Sequence, residues 1–143
     1  REHAIHIGPL DFHETNFGVV ISRTETGVGV TAGAAIGATI RPPEGAVPTK
    51  MRCSIDDGLA GGAQYVSVGL WRHPIAAAGP SENIAGFSST DGLTAPETTT
   101  FTDDDPISNA QYLYFVEARF FPANPALVLH SCSLTFQVEA PAP

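Results

Sequence analysis

Between Thr49 and Arg72 the chain changes character with every residue, and a period of two commits it to extended structure. Met51, Cys53 and Ile55 alternate with Arg52 and Ser54, the pattern of a strand with one face buried and one in water. Asp56-Asp57-Gly58 ends the run. After Leu59-Ala60-Gly61-Gly62-Ala63 the alternation resumes through Tyr65 to Arg72, with Val66, Val68 and Leu70 on one side. The two halves read as a β-hairpin lying on a core.

The rest of the chain keeps that period. Ile5 and Ile7 share a face of an N-terminal strand that Pro9 limits. Phe17–Ser22 and Val28–Thr31 flank a polar turn at Arg23–Gly27, and Ile36, Ala38 and Ile40 are in phase. Thr98–Thr102 is β-branched, and Tyr112–Phe121 starts apolar on both faces, as in a strand between two layers or against a partner. Leu127–Val138 closes the chain, with Val128, Cys132, Leu134, Phe136 and Val138 on one face and His130 in the same phase. His73–Thr90, broken by Pro74, Gly79 and Pro80, reads as a long loop with one helical turn near Pro80–Ile84. Short strands at this spacing predict an all-β fold, a Greek-key or jelly-roll-like antiparallel β-sandwich of about eight strands. Residues 1–139 form one domain, and 140–143 read as a loose C-terminal tail.

Charge narrows the partners. Fifteen Asp and Glu against seven Lys and Arg give a formal charge of −8, and the basic residues are scattered. Nucleic acid is excluded as a partner because phosphate binding needs a basic stripe, and anionic membrane surfaces are disfavoured on the same ground. No run reaches the roughly 20 apolar residues of a membrane helix, so membrane insertion is not expected. The turn-rich composition and the start at Arg1 predict a secreted, extracellular protein from which a leader has been removed. Cys53 and Cys132, both on apolar faces, are expected to form a disulfide in that setting. Two separate buried thiols are the alternative.

The run Pro43-Glu44-Gly45-Ala46-Val47-Pro48-Thr49-Lys50-Met51, then Asp56-Asp57, then Val66-Ser67-Val68-Gly69-Leu70-Trp71-Arg72 resembles a pattern in secreted bacterial β-sandwich proteins of unknown function. In these a proline-x-glycine-alanine turn leads into a strand, an aspartate turn, and a strand ending leucine-aromatic-arginine. The resemblance implies a sandwich and export, and carries no catalytic residue with it.

Candidate sites are few. His3 and His6 fall on opposite faces of a strand, the wrong arrangement for one metal, and His130 reads as a core histidine held by a hydrogen bond. Asp56, Asp57, Asp103, Asp104 and Asp105 are candidate calcium ligands, since calcium takes roughly six to eight oxygens. Neither cluster has the spaced loop of a calcium site, and no metal or cofactor is expected. Sequence motifs of nucleophilic, zinc or phosphate chemistry are missing, so no catalytic residue is assigned and the protein is read as non-enzymatic. Glu117 and Arg119 share a strand face, which suits a salt bridge or an interface contact. The two-faced aromatic strand and the N-terminal segment predict a self-assembling structural subunit. It would form a homo-oligomer or extracellular filament by edge-strand pairing, through Ile5, Ile7, Leu10, Phe12, Tyr112 and Tyr114. The alternative is a carbohydrate- or ligand-binding sandwich, with a glycan as partner and Tyr65 and Trp71 as stacking residues beside Tyr112 and Tyr114.

Overall fold

The two alternating halves of Thr49–Arg72 fold into strands of different sheets. In chain order the strands are β1 (Glu2–Ile7), β2 (His13–Glu14), β3 (Val20–Arg23), β4 (Val28–Ala32), β5 (Ala35–Ile40), β6 (Val47–Asp57), β7 (Tyr65–Pro74), β8 (Glu82–Ser88), β9 (Gly92–Thr94), β10 (Glu97–Thr98), β11 (Tyr112–Phe121) and β12 (Leu127–Gln137). The computed structural model describes residues 1–15, 20–24, 26–32, 35–59, 63–76, 79–102 and 105–139. Phe17 to Val19, Asp103, Asp104 and the 140–143 tail lie outside the described residues. A 3-10 turn at Pro9–Asp11 is the one helical element among those described.

One sheet has seven strands, with β12 at its centre between β6 and a shared flank of β1 and β4; β3 extends it beyond β4, and β9 and β10 cover the far edge of β6. The other runs β2-β5-β11-β7-β8. All pairings are antiparallel, and the two inner faces enclose one core. The fold is thus the all-β antiparallel sandwich expected. It differs from the expected hairpin because β6 pairs with β12 while β7 pairs with β11 and β8. Alternation shows that a strand has a buried face, and both strands bury theirs, but from opposite sides of the core.

Inner faces follow the predicted phase in most strands. Met51, Cys53 and Ile55 of β6 meet Val66, Val68 and Leu70 of β7 and Tyr114, Val116, Ala118 and Phe120 of β11, all 2% exposed or less. Each buried Val, Leu, Ile, Met or Phe among them contributes roughly 1.5–3 kcal/mol. The exception is β12, where Leu127 and Leu129 are buried instead of Val128 and His130. Leu129 pairs with Ile55 and Ser131 with Ser54, so His130 is an extra residue with no partner on β6. That bulge resets the phase, and Cys132, Leu134 and Phe136 point inward as Leu127 and Leu129 do. His130 is half-buried outside the core, its Nδ1–H donating to the Thr26 carbonyl.

Cys132 stands directly opposite Cys53, and the two form a disulfide across the centre of the sheet, Cα atoms 4.0 Å apart. The turn before β6 needs Gly45, whose φ of 77° suits glycine. It is locked to the loop before β11 by Gly45 N–H to the Ile107 carbonyl (2.9 Å) and Ile107 N–H to the Ala46 carbonyl (2.8 Å).

The N-terminal segment makes its ladder within the chain. β1 pairs with β12 from Glu2↔Gln137 to Ile7↔Cys132, and the Arg1 amino group donates to the Val138 carbonyl at 2.8 Å. Of the residues expected at an assembly interface, Ile7, Phe12 and Tyr114 are 3%, 0% and 2% exposed. Ile5 packs against the core, and Tyr112 lies under the Arg72 guanidinium at 4.2 Å. Leu10 alone of the six is well exposed. A cluster of apolar residues on one strand face looks the same in sequence whether it covers the chain's own core or another subunit.

Candidate functional site

The outer face of the five-stranded sheet carries the residues that the core does not use. On β11 these are Leu113, Phe115, Glu117, Arg119 and Phe121; on β7 they are Tyr65, Ser67, Gly69, Trp71 and His73. The second apolar face seen in the β11 sequence therefore points away from the sandwich.

Register lines up three rows across this face. The central row is Gly86, Gly69, Glu117, Gly37 and His13, on β8, β7, β11, β5 and β2 in turn. One neighbouring row holds Asn83, Trp71, Phe115 and Thr39, and the other Ser88, Ser67, Arg119 and Ala35. A row of three glycines around one carboxylate makes a trough. Its β8 side is a groove of about 380 Å³ lined by Ser67, Gly69, Trp71, Asn83, Gly86, Ser88, Glu117 and Arg119.

Trp71 leans into this trough. A Cβ placed on Gly69 would lie 2.7 Å from the indole Nε1 and 2.9 Å from Asn83 Nδ2, so the Nε1 edge of the indole occupies the space that a side chain at position 69 would take. Beside it, Arg119 Nε donates to Glu117 Oε1 at 2.7 Å. The Glu117 side chain is 15% exposed and that of Arg119 52%. The ion pair expected from their shared face is present, and it sits in the groove. Because Nε makes that bond, the terminal guanidinium nitrogens keep their N–H donors for other partners, next to a carboxylate that keeps a second oxygen.

A bulge sets the edge of the site. Leu70 pairs with Ala85 but Trp71 pairs with Asn83, leaving Ile84 as the extra residue of β8. Ile84 and Ala85 are consecutive and both belong to the core, as the bulge allows. Asn83 consequently faces outward beside Trp71, its Nδ2 donating to the carbonyls of Ala85 (3.1 Å) and Leu70 (3.4 Å).

Tyr65 and Trp71 share the outer face but stand six residues apart on β7, about 20 Å along the strand. Tyr65 stacks instead on Phe121, ring centroids 4.8 Å apart. Tyr112 and Tyr114 belong to the inner end of the sandwich with Arg72, and are not on this face. Of the calcium candidates, the described ones, Asp56, Asp57 and Asp105, form no shared site. Asp57 is buried and accepts from Ser89 Oγ (2.9 Å) and Leu59 N–H (3.2 Å). Asp56 pairs with Val128 on β12, and Asp105 lies 3.9 Å from Arg72. Among the described residues no group of three His, Cys, Asp or Glu could hold a metal. Sequence reasoning named Trp71, Glu117 and Arg119 but not Gly69, Phe115 or Asn83; phase counting on β7 and β11 places the first two, whereas nothing local announces the bulge that places the third.

No protein-family model matches the chain, and no curated sequence matches it. Among solved structures it is similar to a family 29 carbohydrate-binding module from Piromyces equi, with a TM-score of 0.53 and 9% identity over 94% of this chain and 90% of that one. A variant of the CBM29-2 module, made to probe ligand recognition by the same family, gives a TM-score of 0.54 and 9% identity over the whole of both chains. At that identity the likeness shows the fold alone, a jelly-roll-like β-sandwich. It overturns the reading as a self-assembling structural subunit or filament. The two structures it is similar to are binding modules, and the strand meant for edge pairing is paired within its own chain. No helix among the described residues is long and apolar enough to cross a membrane, and the disulfide is compatible with an extracellular setting.

Proposed function

We propose that the protein is a carbohydrate-binding module whose ligand lies on the outer face of the five-stranded sheet. The observation that carries this reading is the Trp71 indole, its Nε1 edge set against Gly69, in an open groove beside the Glu117–Arg119 pair. A flat indole offers an apolar surface to the C–H face of a pyranose ring. The adjacent pair offers N–H donors and a carboxylate acceptor in one place, which suits hydroxyl groups that both donate and accept. Glu117 at the floor and the net charge of −8 favour a neutral glycan over an anionic one. The jelly-roll neighbours support the same class, and the disulfide supports a place outside the reducing cytosol. We read the protein as binding without turnover: the central carboxylate is held by Arg119 in an open groove, as a recognition group would be.

Electrophoresis through gels containing soluble neutral polysaccharides (hydroxyethylcellulose, galactomannan, xylan, β-1,3-glucan) tests this. At least one should retard the native protein, and Trp71→Ala should abolish the retardation while leaving the far-UV circular dichroism unchanged. Equal mobility of the native protein in every gel would remove the proposal.

A further inference from the structure

We infer that Gly69 and the Asn83-closed bulge of β8 are the positioning elements of Trp71, holding the indole down as a preformed platform. The inference rests on the carbohydrate reading for its purpose, but not for its geometry.

Three observations converge. Nothing larger than hydrogen fits at Gly69, since a Cβ would stand 2.7 Å from Trp71 Nε1 and 2.9 Å from Asn83 Nδ2, distances that side-chain carbons do not tolerate. Gly69 is also the β7 partner of both Glu117 and Gly86, so the vacancy lies beside the polar pair. The bulge then places Asn83 opposite Trp71, and its amide bonds to the Leu70 and Ala85 carbonyls fix that edge. Were β8 regular here, with Ile84 instead of Asn83 opposite Trp71, position 83 would fall in the inward phase and its amide could not approach the indole.

A platform fixed before the ligand arrives loses little side-chain freedom on binding, which raises affinity without adding a contact. Gly69 thus acts through Trp71: it is a positioning residue, and its effect should be visible in the indole itself.

The protein has one tryptophan, so its fluorescence reports this side chain alone. In Gly69→Ala the indole should be lifted from the sheet, with emission moved to longer wavelength and stronger quenching by acrylamide, and with glycan affinity about tenfold weaker. Gly86→Ala is the control, because its Cβ would meet the Val68 carbonyl oxygen at 3.0 Å and not the indole; its emission should match the native protein. Should Gly69→Ala fail to fold, Asn83→Ala, on the exposed edge strand, carries the test and should show the same red shift and increased quenching. Native-like emission and quenching in folded Gly69→Ala, or in Asn83→Ala where it stands in, overturns the inference, as does an equal shift in Gly86→Ala. If the emission changes as expected but the native protein binds no glycan, the positioning stands and the carbohydrate reading falls.

Discussion

Tyr114 shows how far the sandwich alters the chemistry of a single residue. Burial pushes its phenol above the ordinary value of 10.0, outweighing the hydrogen bond from Ser108 N–H and the nearby Arg72 charge, both of which pull it down. A raised folded pKa means that the unfolded chain loses this proton first. The stability tied to the neutral phenol is complete below pH 10.0 and is lost as the pH rises from there through the folded value. Denaturant unfolding from about pH 9 to about pH 11 should therefore show a falling stability that Tyr114→Phe makes shallower. At neutral pH the same substitution should cost about 1 kcal/mol, because the Ser108 amide loses its acceptor. At this scale the sequence was informative where a residue acts through its own side chain: Trp71, Glu117 and Arg119 are visible by type and phase. Gly69 was not, because its contribution is the space that it leaves for another residue.

Among the elements, β6, β7 and β11 could be read directly from alternation, and β5 from Ile36, Ala38 and Ile40. Two bulges obscured the pattern in two others. In β12 the extra His130 shifts the period, so counting back from Cys132 puts Val128 inside where Leu127 and Leu129 are. In β8 the extra Ile84, together with Gly86 and the nearby prolines, disguises a seven-residue strand as loop. The β6–β7 hairpin failed for a different reason: alternation reports that a face is buried but not which sheet the strand joins. The β12 bulge makes a testable asymmetry. Deleting His130 makes the pairs Leu129↔Ile55 and Ser131↔Ser54 consecutive and keeps Cys132 facing inward. Deleting Ser133 turns either Leu134 and Phe136 or Cys132 outward. Thermal melts and the mass of the oxidised protein should show a folded, bridged chain in the first case. The second should fail to fold or to close Cys53 to Cys132.

For the molecule as a whole, the fold class was legible because many short alternating runs admit few arrangements. The candidate surface was not, since it arises only where neighbouring strands of one sheet align in register. The disulfide joins β6 to β12, 79 residues apart, across a sheet in which every other bond is non-covalent. In the chain-entropy account that link contributes about 4–5 kcal/mol. Urea unfolding with and without a reductant should show a loss of that order, with a native-like β spectrum persisting in the reduced protein at low denaturant. The Arg1 amino group bonded to the Val138 carbonyl has a practical result. Both ends of the described chain leave from one corner of the seven-stranded sheet, while the trough opens on the opposite sheet. A surface tether or fluorophore attached at either end would therefore leave the trough uncovered, and a short peptide linker could join the two ends so that new termini are cut elsewhere.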